Sequence, residues 1–169
     1  MHRLLGILFF VSGTCFAQAP QLELHSYGFD PVEVAIPATP VEKLLEVSKG
    51  WALEYNREER GADITNVTTN SMDITAYKRN AFYYRNRGFT QDHSITYTMH
   101  LTFTPNSYTL TFKVNDIYVD GDSLIEYKLP DYFTSSGSLK EGYTSLDESL
   151  EATVNKIIES HYNFIISYR

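Results

Sequence analysis

From Ser94 to Thr104 apolar and polar positions alternate with a strict period of two. Ile95, Tyr97, Met99, Leu101 and Phe103 interleave with serine, threonine and one histidine, His100. After Pro105-Asn106-Ser107 the alternation resumes, with Tyr108, Leu110, Phe112 and Val114 set against Thr109, Thr111, Lys113 and Asn115. Proline, asparagine and serine are turn formers, so Ser94–Asn115 predicts an antiparallel hairpin with one apolar and one hydroxyl-rich face. A lone two-stranded ribbon is marginal in water. The rest of the chain must therefore supply a cover for the apolar face.

Two helical patterns can do so. Thr39-Pro40-Val41-Glu42 predicts a helix start, with Thr39 as cap, Pro40 at the first helical position and Glu42 closing a capping box. The helix should run to Tyr55, with Val41, Leu44, Leu45, Ser48, Trp51, Ala52 and Tyr55 on one stripe. Ser145-Leu146-Asp147-Glu148 predicts a second capping box, followed by a helix with Leu146, Leu150, Val154, Ile157, Ile158, His161 and Ile165 toward one side. Further strands are expected at Phe29–Ile36, where Pro31 points to a sheet edge, and at Ala62–Thr69 and Met72–Lys78, joined at Asn70-Ser71. Asn80–Asp92 is rich in aromatics and arginine. Asp116–Thr144 loses periodicity: Asp120-Gly121-Asp122 is a turn, Leu124–Leu129 a short strand and Thr134–Ser138 a flexible run of small residues. The order strand, helix, four strands, helix predicts an α+β two-layer sandwich, a five-stranded antiparallel sheet with two helices on one face.

At 169 residues the chain fits one domain with a substantial core. Its first residues have a different character. Arg3 precedes an apolar run from Leu4 to Val11, and Cys15-Phe16-Ala17 and Ala17-Gln18-Ala19 carry the small residues of a cleavage site. Residues 1–17 are expected to be a signal peptide, 18–27 a linker and 28–169 the folded domain. The protein is thereby expected to be exported: periplasmic, attached to the outer envelope or secreted. The apolar run is far short of the roughly twenty residues a membrane span needs. Cys15, the one cysteine, would leave with the leader. The rival reading, acylation of Cys15, is poorly matched by Thr14 and Ser12. The formal charge is −7 and one unit more negative without Arg3, which argues against general nucleic-acid binding.

No catalytic signature emerges, and no metal or cofactor is expected. Asp92-His93-Ser94 holds the residue types of a hydrolase triad, but adjacent residues cannot converge as a triad requires. His100 and His161 are single histidines of the kind that pack or hydrogen-bond within a fold. Asp116, Asp120, Asp122 and Glu126 miss the spacing of a calcium loop. Asn66-Val67-Thr68 matches a glycosylation acceptor by three residues only. The strongest local anomaly is the stretch from Lys78 to Phe89. Lys78, Arg79, Arg85 and Arg87 accompany Phe82, Tyr83, Tyr84 and Phe89 in an otherwise acidic chain. Such a mixture can pair with anions and stack on rings or sugar faces. It can equally be a strand end whose aromatics extend the core and whose cations meet the domain's own carboxylates.

The leader ending Phe16-Ala17-Gln18, the strand ending Ile36-Pro37, the helix carrying Lys49-Gly50-Trp51-Ala52, the alternating hairpin and the closing helix together resemble an exported bacterial domain of unknown function with a TBP-like fold. The resemblance covers most of the mature chain and implies the strand–helix–four-strand–helix sandwich. It brings no active site, and it implies no DNA role, because fold does not determine function. The functional expectation is a non-catalytic exported domain that acts by binding. Its contacts are drawn from Lys78, Arg79, Phe82, Tyr83, Tyr84, Arg85 and Arg87, and its partner is an anionic glycan, lipid headgroup or envelope protein. The alternative is a carrier holding a small apolar molecule between sheet and C-terminal helix, in a cavity lined by Leu101, Phe103, Phe112 and Val154.

Overall fold

The computed structural model describes residues 19–119 and 123–168. The expected leader with Cys15, and the turn Asp120-Gly121-Asp122, lie outside them. In chain order the elements are β1 (Leu24–His25), β2 (Gly28–Phe29), β3 (Val32–Ala35), α1 (Val41–Tyr55), β4 (Ala62–Thr65), β5 (Ser71–Asn86), β6 (Phe89–Phe103), β7 (Ser107–Val119), β8 (Ser123–Ile125) and α2 (Leu146–Ser167). A short 3-10 helix, Leu129–Tyr132, precedes α2.

The alternating segment forms two arms of the meander β5–β6–β7. Met99 stands opposite Ile74 on one neighbour and Phe112 on the other, and Leu101 opposite Met72 and Leu110. All six are buried, whereas Thr98 lies between Thr75 and Lys113 on the other, more open face. The period-2 pattern thus sets the register, because a one-residue slip would exchange the faces. The strand order is β3-β7-β6-β5-β4, all antiparallel, with β8 also paired to β7. The sheet therefore has six strands and not the five expected. The sixth, Ser123–Ile125, overlaps the short strand expected at Leu124–Leu129 but ends at Ile125, and it pairs where β7 runs on to Val119, past the end of its pairing with β3.

Both helices contribute to the same hydrophobic core as the inward row of the sheet. Leu44 and Trp51 of α1, Leu150, Val154 and Ile158 of α2, and Tyr97, Met99 and Leu101 of β6 belong to one cluster. Fully burying an aliphatic or aromatic side chain of this kind contributes about 1.5–3 kcal/mol. Helix α1 occupies the expected span, but neither capping box forms. Thr39 Oγ1 donates to Pro37 O at 2.9 Å, and Pro40 is the cap, its carbonyl accepting the Leu44 N–H at 3.1 Å. Ser145 has φ 72°, a left-handed conformation unlike the extended one in which a cap hydroxyl reaches back to the helix.

Two stretches expected to be loose are fastened. In the expected linker, the Leu22 N–H donates to Asn155 Oδ1 (2.7 Å), Asn155 Nδ2 donates to Leu22 O (3.0 Å), and the Leu24 N–H donates to Glu151 Oε1 (2.7 Å). The N-terminal segment is thus strapped across α2. In the aperiodic stretch, Thr134–Ser138 is a hydrogen-bonded turn, Phe133 bridges to Leu139, and Tyr132 is buried.

Candidate functional site

The site grows out of a fault in the β5–β6 ladder. Lys78 pairs with Ile95, but the next pair is Phe82 with His93, so β5 uses four residues where β6 uses two. Asn80 sits in the bulge at φ 47°, its N–H donating to Ser94 Oγ at 3.2 Å. The extra residues break the alternation, and the consecutive Ala81 and Phe82 are both buried. Beyond the bulge β5 is held by the start of α2. The Tyr83 N–H donates to Ser149 Oγ (3.1 Å), Ser149 Oγ donates to Tyr83 O (2.9 Å), and the Arg85 N–H donates to Thr144 O (2.9 Å). The hairpin closes through Arg87-Gly88, with φ 48° and 85°, the two positive values a type I′ turn needs. The Lys78–Phe89 stretch is therefore the bulged end of β5 and its hairpin turn, where the sequence suggests a strand end and loop.

One side of this hairpin is an aromatic stack. Phe82 lies flat on the His93 ring (4.8 Å between centroids, 7° between planes), and Tyr84 lies 4.9 Å from the same imidazole. Tyr143 stands edge-on to both Tyr84 and Tyr132 at 4.9 Å. Burial raises the Tyr132 phenol's pKa, keeping it neutral. The tip presents a different surface. Arg85, Asn86, Arg87, Phe89 and Gln91, with Glu141, Gly142 and Thr144 from the segment before α2, line an open cleft of about 670 Å³. Phe89 is 75% exposed. The Arg85 guanidinium lies 5.8 Å from the Tyr83 ring centre. Gly142 is at φ +91°, and a Cβ there would stand 3.2 Å from Asn86 Nδ2. Glycine thus permits both the backbone turn and the close approach of the two walls.

The Lys78–Phe89 stretch is accordingly divided. Phe82 is in the core, 1% exposed, and Lys78 pairs with Glu59 at 3.0 Å. Tyr84 is half-buried, its hydroxyl donating to Gln91. Tyr83 is half-buried beside Arg85. Arg79 is exposed at the bulge, roughly 20 Å of extended chain from the tip. Arg85 and Arg87 are exposed at the cleft. None of the three arginines makes an ion pair with a described residue. The opposite wall, Glu141, Gly142 and Thr144, lies in the aperiodic stretch, where nothing in the sequence associates it with the hairpin.

The other constellations are dispersed or closed. His93 is buried in the aromatic stack and Ser94 is committed to the Asn80 N–H, so Asp92-His93-Ser94 does not converge. On the hydroxyl-rich face Thr102, His100 and Asp73 form a hydroxyl–imidazole–carboxylate chain, with Asn66 Nδ2 donating to the second Asp73 oxygen at 2.6 Å. Desolvation pushes the Asp73 carboxyl up, but the hydrogen bonds from Asn66 and His100 outweigh it and hold the group below the usual carboxylate range. This chain lies on regular ladder, with Asp73 paired to His100 and Ser71 to Thr102. Of the acidic set, Asp120 and Asp122 are outside the described residues, and Asp116 bonds Lys128 and Thr96. Among the described residues no three His, Cys, Asp or Glu side chains gather as for a metal.

Comparison with solved structures decides the fold. A TBP-like protein from Parabacteroides distasonis aligns with a TM-score of 0.57 at 15% identity, over 86% of this chain and 96% of that one. The fold is TBP-like. A DUF4468 family protein from Bacteroides ovatus aligns with a TM-score of 0.54 at 12% identity, over 80% of this chain and 82% of that one. These neighbours match the bacterial domain of unknown function that the sequence resembles. No family model matches the chain, and no curated protein matches it significantly. At such identities the TBP-like likeness speaks for the fold alone. Among the described residues no helix is long and apolar enough to cross a membrane.

Proposed function

We propose that this TBP-like chain is a non-catalytic exported binding domain, periplasmic, envelope-attached or secreted, and that the β5–β6 tip recognises an anionic glycan. In this reading the two helices form one layer on the apolar face of the sheet, and the bulged end of β5–β6 carries the recognition surface. The observation that carries it is the placement of two guanidinium groups that make no ion pair with a described residue, Arg85 and Arg87, beside the exposed ring of Phe89 on one cleft. A sugar acid fits that chemistry: carboxylate to guanidinium, ring C–H face to Phe89, hydroxyls to Asn86, Gln91 and Glu141. The carrier alternative is less well supported, because Leu101, Phe103, Phe112 and Val154 are each at most 2% exposed within one core cluster.

The test is titration with tetragalacturonate against an uncharged tetragalactoside. Binding of the acid should fall at least tenfold in the double variant Arg85→Gln/Arg87→Gln and weaken as salt rises, since screening acts over about 10 Å at 0.1 M. Arg79→Gln, away from the cleft, should keep it. Folding should be nearly untouched in both, because exposed substitutions shift stability by about ±0.5 kcal/mol. Equal affinity for the neutral sugar, or for the double variant, would return the tip to ordinary structure. Retention instead on anionic vesicles or on an envelope protein would keep the surface and change its partner.

Export has its own measurement. The intact mass of protein recovered outside the cytoplasm should correspond to a chain beginning at or near Gln18, without cysteine. A mass retaining Cys15 with acyl chains would replace the secreted form by a lipid-anchored one.

A further inference from the structure

The hydroxyl–imidazole–carboxylate chain on the open face of the sheet has a direction. Asp73 stands opposite His100 in the β5–β6 ladder, and Thr102 follows His100 on the same face of β6. His100 Nδ1 lies 2.5 Å from Asp73 Oδ1, and Thr102 Oγ1 lies 3.2 Å from His100 Nε2. An ionised carboxylate only accepts hydrogen bonds. In the neutral imidazole the proton therefore sits on Nδ1, and Nε2 turns its lone pair to the Thr102 hydroxyl. Asn66 Nδ2, on the other carboxylate oxygen at 2.6 Å, holds the Asp73 side chain in place. The Asp73 side chain is 18% exposed and that of His100 49%, so the chain is sheltered at its carboxylate and open at its imidazole.

This order of groups matches nucleophile, general base and orienting carboxylate, each in hydrogen-bond contact with the next. Neighbouring threonines are engaged differently. Thr98 Oγ1 is shared with Thr75 Oγ1 and Asn115 Nδ2, both at 2.8 Å, and Thr96 Oγ1 donates to Asp116 Oδ2 at 3.2 Å. Because His100 is exposed and Thr102 partly so, water shares the site. Amides and alkyl esters, which need strong stabilisation of the tetrahedral oxyanion in a dry site, are poor donors there. A usable acyl donor must bring its own activation in a good leaving group.

We propose that Thr102 is a covalent modification site that takes the acyl group of an activated ester or thioester. Thr102 Oγ1 attacks the carbonyl carbon while His100 Nε2 accepts its proton. The Oγ1–C bond forms, the bond from that carbon to the leaving oxygen or sulfur breaks, and the proton passes from His100 to the leaving group or to water. Asp73 keeps its charge and is the positioning residue. The product is an ester of a secondary alcohol, a poor leaving group, so it persists and each chain is acylated once. This site is independent of the glycan reading of the β5–β6 tip.

The probe is p-nitrophenyl acetate, applied to the intact protein in mildly alkaline buffer, with the acetyl group located by fragmentation mass spectrometry. Acetyl should appear on Thr102 and be removable by hydroxylamine, which cleaves an ester and spares a lysine amide. Thr98, on the same strand and face, should stay unmodified. His100→Gln should slow acetylation of Thr102 at least tenfold, Thr102→Val should abolish it at that position, and Thr102→Ser should retain it. Asp73→Asn should slow it and, in nitrogen-15 spectra of the His100 ring, replace the single Nδ1–H tautomer by a mixture, while circular dichroism stays that of wild type. An unchanged rate in His100→Gln, acetyl groups confined to lysines, or mixed tautomers already in the wild-type ring would each overturn the proposal.

Discussion

Replacing Trp51 by alanine should destabilise the protein by about 3–5 kcal/mol, the range for removal of a well-buried large aromatic. Trp51 is 1% exposed and closes the junction between α1 and α2. Its Nε1 donates to Ser160 Oγ at 3.1 Å, its ring stands edge-on to His161 at 4.9 Å and stacks on Tyr55 at 5.1 Å. Alanine would leave a cavity bounded by both helices and the sheet. Trp51→Phe should cost less, since it retains a ring and forfeits chiefly the indole hydrogen bond, worth about 1 kcal/mol. Urea denaturation followed by circular dichroism separates the two. An alanine variant whose midpoint stays near wild type would mean that the helix junction does not depend on the indole.

Acid should destabilise the same junction through His161. Its imidazole is wholly buried, Ser48 Oγ lies 2.9 Å from Nε2, and Nδ1 has no hydrogen-bond partner among the described residues. Burial pushes the pKa of His161 down to about 3, against about 6.5 in an unfolded chain. The unfolded state thus binds the proton first. Stability from this group is complete above about pH 6.5, declines by up to about 1.4 kcal/mol per pH unit below it, and stops declining near pH 3. By pH 4 the loss approaches roughly 3 kcal/mol. His161→Gln should be less stable than wild type at pH 7 and show a flatter decline from pH 6.5 to 4. Asp73 and Asp116, whose pKa values are also lowered, titrate in both proteins, so the difference isolates the histidine. Parallel declines in the two proteins would remove His161 as the acid-sensitive element.

The sequence announces the fold where one face of an element repeats. Ile95 to Phe103 and Tyr108 to Val114 place every inward side chain correctly, and the stripes through Leu44 and Trp51 and through Leu150 and Val154 mark the buried sides of both helices. It is silent where geometry departs from a period. The bulge at Asn80 shifts β5 so that Ala81 and Phe82 are buried in succession, which reads as irregular sequence. Arg87 occupies a left-handed position that glycine or asparagine usually holds, so the hairpin turn carries half its usual signal. The cap positions fail for a related reason. Thr39 and Ser145 have suitable side chains, but Pro40 and a positive φ at Ser145 set the backbone first. The cleft at the tip pairs residues fifty or more positions apart, and no local pattern can state such a meeting.

The strap formed by Leu22 and Leu24 sets an order of events during synthesis. Its acceptors and donors on Asn155 and Glu151 lie 133 and 127 residues downstream. At the usual 5–20 residues per second, Leu22 and Leu24 wait on the order of ten seconds before their dock exists. Strand β3 waits likewise for β7. The meander β5–β6–β7 joins strands adjacent along the chain and can assemble as it emerges. A ribosome-bound chain lacking α2 should therefore hold a partial sheet with its N-terminal arm open to protease, and the arm should become resistant only when the last helix is released.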